Sequence, residues 1–434
     1  LPPSTTIDSV TDGNKSSIIT GCNSSSNSAI ITFSGIDTGG DKSKAAGINH
    51  FECSLDRASF STCNAPLKLK GLKDGVHIVE IKASDNVGNN DPTPSSFSWT
   101  IDTAPPTTSI TSAIDGNRKT VTTGGNTTST SMTLSFSGND SGTGVNHFAC
   151  SLDGASVGVC TSPVKYSQLA DGAHTLEVRT EDNVANVDVS PASFAWTIDT
   201  IPPTTAINSV VDSNKNTLSN GSNTRSNSIT LTFSGSDTSK VEVKRFQCSL
   251  DNSDFADCTS PLTFSNLSDV SHTVKVRALD NSGNNDNSPQ LFTWKVDTTP
   301  PSSNINTAFD GKNDTVTNGG NTTSRSMTFT FTGSDVGVGV DHLECSLDGA
   351  SFTTCTSPVQ FKSLSDRSHN LEVLSEDKAG NRGSSPALFN WTVDTVPPTS
   401  TIDSAKDGNK SAVTNSGTTK STSMTFAFSG NDTG

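Results

Sequence analysis

Large apolar side chains return along this chain every second residue, in short runs broken by Gly, Asn and Asp. Met132, Leu134 and Phe136 alternate with Thr133, Ser135 and Ser137, the period of a strand with one buried face. The same holds for Phe148, Cys150 and Leu152, for His174, Leu176 and Val178, and for Phe194, Trp196 and Ile198. Ile110 and Ile114, with the short runs 157–160 and 164–169, complete a set of seven predicted strands. No window sustains helical periodicity. Seven turn-punctuated strands in about 100 residues fit an all-β, two-sheet sandwich with one dry and one wet face per sheet.

The whole pattern then recurs. Trp99-Thr-Ile-Asp-Thr-Ala-Pro-Pro returns at Trp196, Trp294 and Trp391, and the Pro-Pro pairs begin at Pro2, Pro105, Pro202, Pro300 and Pro397. This predicts tandem domains at 1–103, 104–200, 201–298 and 299–395, with part of a fifth at 396–434. The first is longer because residues 41–46 extend a loop, which is cheap at a surface. The four Trp, in phase with a Phe two residues earlier, are expected in the cores. His77, His174, His272 and His369 each open a strand where sandwich domains place a corner Tyr, and are expected to bond back to the preceding loop. Met424, Phe426 and Phe428 enter the partial fifth unit with nothing to pack against. The expectation is a window on a longer repeating chain, or a neighbouring copy that donates strands head to tail.

Composition changes the picture in two ways. Only 30% of the 434 residues are hydrophobic, yet their fixed phase argues against disorder. A formal charge of −15 with no basic stripe repels phosphate backbones, so nucleic acid is not an expected partner. No run of about 18 apolar residues exists to span a membrane.

Eight cysteines pair at one spacing: Cys53 with Cys63, Cys150 with Cys160, Cys248 with Cys258 and Cys345 with Cys355. The spacing fits a hairpin whose strands face each other at the Cys positions, and Asp153-Gly154 and Asp348-Gly349 supply the turn residue it wants. Zinc would need four ligands where each unit offers two thiols. A disulfide in each unit is therefore expected, and with it an oxidising, extracellular setting. Cys22 has no counterpart and reads either as an intermolecular thiol or as a drifted small residue. Asn14, Asn23, Asn126, Asn139, Asn220, Asn266, Asn313, Asn321, Asn390, Asn409 and Asn431 head N-glycosylation sequons.

The string Asn146-His-Phe-Ala-Cys-Ser-Leu-Asp-Gly-Ala-Ser, echoed at Glu344-Cys-Ser-Leu-Asp-Gly-Ala-Ser-Phe and followed by Leu-x-Asp-Gly-x-His and Trp-Thr-Val-Asp-Thr-x-Pro-Pro, resembles the tandem immunoglobulin-like repeats of very large bacterial and archaeal surface proteins. The resemblance covers essentially the whole chain. Asp269-Val-Ser-His and Arg245 depart from it outside the predicted core. It implies spacers, stalks and adhesive or filament-forming segments at the cell surface, in contact with copies of themselves, surface glycans or neighbouring cells.

No nucleophile elbow, zinc-protease helix, phosphate loop or dinucleotide motif occurs, so no enzyme and no organic cofactor are expected. Calcium is the one metal the residues suggest. Asp102, Asp199 and Asp297 lie in the linkers, and Asp85, Asp91, Asp182, Asp188, Asp280 and Asp286 lie in the loop before each last strand. All offer hard oxygen ligands. The bland reading is that these residues cap turns, and Arg382 and Gly383 in place of Asn90 and Asp91 count against a general site. The leading expectation is a structural filament or stalk. The alternative is a glycan- or protein-binding module, which needs exposed aromatic faces.

Overall fold

The computed structural model describes residues 1–38, 46–239 and 241–432. The first repeat contains β1 (Ser4–Asp12), β2 (Asn23–Ser24), β3 (Ser28–Ile36), β4 (Ile48–Leu55), β5 (Ser61–Cys63), β6 (Leu67–Lys70), β7 (Gly75–Asp85) and β8 (Ser95–Ile101). A three-stranded sheet in the order β1-β3-β6 faces a five-stranded sheet in the order β2-β8-β7-β4-β5. The same two sheets recur over residues 107–198, 204–296 and 302–393. The chain is all-β, built of repeated immunoglobulin-like sandwiches. The extended loop at 41–46 lies, apart from Ala46, outside the described residues.

Each sandwich has eight strands, one more than the alternation predicts. The addition is the short strand β2, or Gly125–Thr127 in the second repeat, which pairs parallel to the final strand through Gly125↔Trp196 and Thr127↔Ile198. Three polar residues cannot show a period, so their pairing is set by the neighbouring strand.

The dry faces meet as expected from their phase. In the second repeat Met132, Leu134 and Phe136 from one sheet pack with Leu176, Val178, Phe194, Trp196 and Ile198 from the other. All four Trp are only 1% exposed. Burying an aromatic ring of this size is the largest single apolar contribution in each core. Its indole N–H finds no acceptor among the described residues, a buried donor that costs part of that gain.

By internal contacts the chain divides into two compact units. One comprises Leu1–Pro202 with Asp237–Glu242 and Asp280–Asn284, and the other comprises the remaining residues. In the second unit Thr399–Asp407 and Met424–Asn431 form a two-stranded sheet with the register of its counterparts, Asp407↔Met424 matching Asp115↔Met132. Its Phe426 and Phe428 are 46% and 69% exposed, where Phe136 is 4% exposed.

Candidate cation sites

Three acidic clusters recur at the repeat period, each made of one linker Asp and two loop Asp: Asp102 with Asp140 and Asp182, Asp199 with Asp237 and Asp280, and Asp297 with Asp335 and Asp377. In each, one carboxylate oxygen per residue lies within 4.8 Å of the others. The linker Asp follows the last strand directly. Asp102, Asp199 and Asp297 are at most 1% exposed.

The loops are built to hold these carboxylates still. Asp182 Oδ1 accepts the backbone N–H groups of Val184 and Asn186, both at 2.8 Å, a short Asx-type loop. The Asn186 amide then bridges Asp182 Oδ2 (2.7 Å) and the Asp102 carbonyl (2.9 Å), tying loop to linker. Asn284 and Asn381 repeat that bridge to the carbonyls of Asp199 and Asp297. The third carboxylate is fixed from one side only. Asp140 Oδ2 accepts Gly142 N–H (3.0 Å) and Gly144 N–H (2.7 Å), and Asp335 Oδ2 accepts Gly337 N–H (3.0 Å) and Gly339 N–H (2.7 Å). The other oxygen of each is buried and has no partner among the described residues; at Asp237 that atom is Oδ2.

An orphaned buried carboxylate oxygen is costly unless a cation meets it. Three carboxylates with only oxygen donors suit a hard divalent ion such as calcium. The residues therefore fit the ion: Asp102, Asp140 and Asp182, and their counterparts, would hold it. When bound, it supplies positive charge that cancels the mutual repulsion of the three carboxylates.

The loops that line the clusters differ, most consequentially at the position of Gly142. A Cβ at Gly142 would lie 2.2 Å from Asp102 Cγ, and one at Gly337 would lie 1.9 Å from Asp297 Oδ2, so these two loops run too close for any side chain. The second cluster has Ser239 there, whose hydroxyl reaches both Asp199 Oδ2 (2.9 Å) and Asp237 Oδ1 (2.5 Å). Burial pushes Asp102 up, but the N–H and hydroxyl of Thr143 and the Ala104 N–H outweigh it and leave the carboxyl below its ordinary value. Burial also pushes Asp199 up. The Ile201 N–H and the Ser239 hydroxyl do not offset it, and with Asp237 and Asp280 alongside the group stays above its ordinary value.

Asp140, Asp237 and Asp335 were not singled out by the sequence reading, although Ser/Thr-Gly-x-Asp recurs at the repeat period and would have found them. Asp91, Asp188 and Asp286 join no cluster among the described residues. Each accepts an N–H two residues on, from Thr93, Ser190 or Ser288, and so caps its own turn. Asp85 likewise accepts Val87 and Asn89 N–H groups within its loop. Arg382 puts no cation into the Asp297 cluster, because its guanidinium lies on Glu344 and over the Phe352 ring. That contact also supplies positive charge to the acidic group His342, Glu344 and Glu376 on the neighbouring strands.

Cys53–Cys63, Cys150–Cys160, Cys248–Cys258 and Cys345–Cys355 are bonded, each pair joining two adjacent strands of the five-stranded sheet. Cys22 is free and exposed. The sequon asparagines are exposed except Asn126, which is half-buried.

No protein-family model matches the chain, and no curated protein sequence matches it. Among solved structures it is similar to a tetra-tandem repeat in the extending region of a large adhesion protein, at 16% identity over 91% of this chain and 100% of that one, TM-score 0.31. It is also similar to a Ca2+-stabilized adhesin with which an Antarctic bacterium binds ice, at 15% identity over 90% of this chain and 100% of that one, TM-score 0.32. A third similarity is to extracellular cadherin domains 3–6 of protocadherin gamma B2, at 13% identity over 91% of this chain and 100% of that one, TM-score 0.29.

Proposed function

We propose that this chain is a structural, extracellular repeat protein, a stalk or filament segment at the cell surface, with domains at 1–103, 104–200, 201–298 and 299–395 and part of a fifth at 396–434. Each domain is stapled by its own hairpin disulfide, and each linker Asp is held to the following loops by a divalent cation, calcium being the ion the donors suit. The observation that carries this reading is the repetition of one arrangement three times: a buried linker carboxylate beside two loop carboxylates, one of them with an orphaned buried oxygen. A linker that stiffens on binding an ion serves an element whose task is to transmit position or force. One disulfide per repeat suits an oxidising exterior. The four Trp, buried in the cores, do not supply the exposed aromatic faces of a glycan platform. Images of the native material in calcium and in chelator test the proposal: extended particles that become flexible in chelator support it, and particles indifferent to calcium contradict it.

A further inference from the structure

The corner histidine has a second partner that reveals its charge. His174 Nε2 lies 2.8 Å from the Ala170 carbonyl oxygen, and Nδ1 lies 2.8 Å from Asp153 Oδ2. Both neighbours are acceptors without a proton to give. A neutral imidazole carries one N–H, so one of these contacts would set a lone pair against an oxygen; a doubly protonated ring donates to both. The arrangement is repeated at His77 with Asp56 and the Lys73 carbonyl, at His272 with Asp251 and the Ser268 carbonyl, and at His369 with Asp348 and the Ser365 carbonyl, at 2.7 to 3.0 Å throughout. Each imidazole also packs on the core Trp, with ring centres 5.4 to 5.6 Å apart, where an aromatic face favours a cation.

We infer that every full repeat is latched by a buried imidazolium, clamped between the turn carboxylate and the loop carbonyl, and that the fold is therefore weakened by alkali at these corners. The same carboxylate fixes the strand as well, since Asp153 Oδ1 accepts the Thr175 N–H at 2.8 Å. Losing the proton thus loosens the joint between the Cys hairpin turn and the strand that begins beside it.

The charged groups facing the latch set its strength. At His174 these are Asp153 and, beyond it, the Tyr166 phenol, which that carboxylate pushes upward in addition to burial. At His77 the partner is Asp56, with Arg57 next along the turn, and the loop carbonyl belongs to Lys73. At His272 the partner is Asp251, and Lys275 is engaged with Asn252. His369 differs: Arg367 donates to the same Asp348 Oδ2 at 2.8 Å. That carboxylate therefore has a second cation, which pairs the turn independently of the ring. At His174 burial alone would favour the neutral ring, but the Ala170 carbonyl and Asp153 outweigh it and raise the group above its ordinary 6.5. Its contribution to stability is therefore complete below about 6.5 and is lost as pH rises through the folded-state value.

The test is 15N NMR of the full chain labelled at histidine, in saturating calcium, with the Asp153→Asn variant for assignment. The inference expects both His174 ring nitrogens protonated at pH 7 in the parent, and a single protonated nitrogen in Asp153→Asn. One protonated nitrogen at pH 7 in the parent would overturn it. Thermal unfolding adds a readout: the parent midpoint falls between pH 7 and 9, while the four-fold His→Gln variant, if folded, loses that slope. An identical slope in the two proteins would contradict the latch.

Discussion

The clusters around Asp102 and Asp199 share an architecture and differ in the loop that lines them, Asp140-Ser-Gly-Thr-Gly in the first and Asp237-Thr-Ser-Lys-Val in the second. Gly142 lets the first loop lie against the linker carboxylate, and Thr143 donates two hydrogen bonds to it. In the second, Ser239 occupies the glycine's place and one hydroxyl serves two carboxylates. A single hydroxyl has one proton, so it cannot satisfy both. Burial raises both linker carboxyls, but the donors around the first outweigh it and leave that group below its ordinary value, whereas the second, with Asp237 and Asp280 alongside, stays above its ordinary value. The comparison teaches that donors alone can stabilise one such carboxylate, while the other gains more from a cation.

The largest expected effect is at the glycine. Gly142→Ala must displace the buried Asp102 carboxylate and should destabilise the chain by about 3–5 kcal/mol, the cost of depriving a buried charge of its partners; a calorimetric melt unchanged from the parent would break the comparison. Removing the second repeat's staple with Cys150→Ser and Cys160→Ser should cost about 3 kcal/mol, equally in calcium and in chelator, because the hairpin lies apart from the clusters. In chelator, Asp102→Asn should lower stability by roughly 1–3 kcal/mol, since it exchanges an acceptor of three hydrogen bonds for an amide. Asp199→Asn should raise stability under the same conditions, because burial and the charges of Asp237 and Asp280 disfavour a carboxylate there. Equal responses at the two positions would erase the distinction. The smallest effect belongs to Ser239→Ala, about 1 kcal/mol in chelator, and isothermal titration should find the second cluster's calcium affinity little changed.

The sandwich could be read from the chain because Met132, Leu134 and Phe136 alternate with polar residues and the alternation returns with every Pro-Pro pair. Pairing is local enough that Met424, Phe426 and Phe428 keep the same register even though they are exposed. What escaped was whatever has no period of its own. Gly125–Thr127 is a strand only because the Trp196 strand offers it an edge. The turn residue Asp153 reads as hairpin chemistry, and only three dimensions bring its carboxylate to His174. The cation residues were half visible: Asp102 and Asp182 stood out, while Asp140 sits in a loop 38 residues from one and 42 from the other. Asp91, Asp188 and Asp286 carried the same residue type into turns that use it for capping, so composition could not separate ligand from cap.

The central claim is that three carboxylate clusters hold the linkers through divalent cations. It is tested most directly by differential scanning calorimetry of the parent and the Asp140→Asn/Asp237→Asn/Asp335→Asn variant, each in calcium and in chelator. The account predicts that calcium raises the parent's melting temperature and leaves the variant's unmoved; the same rise in both proteins, or none in the parent, would contradict it.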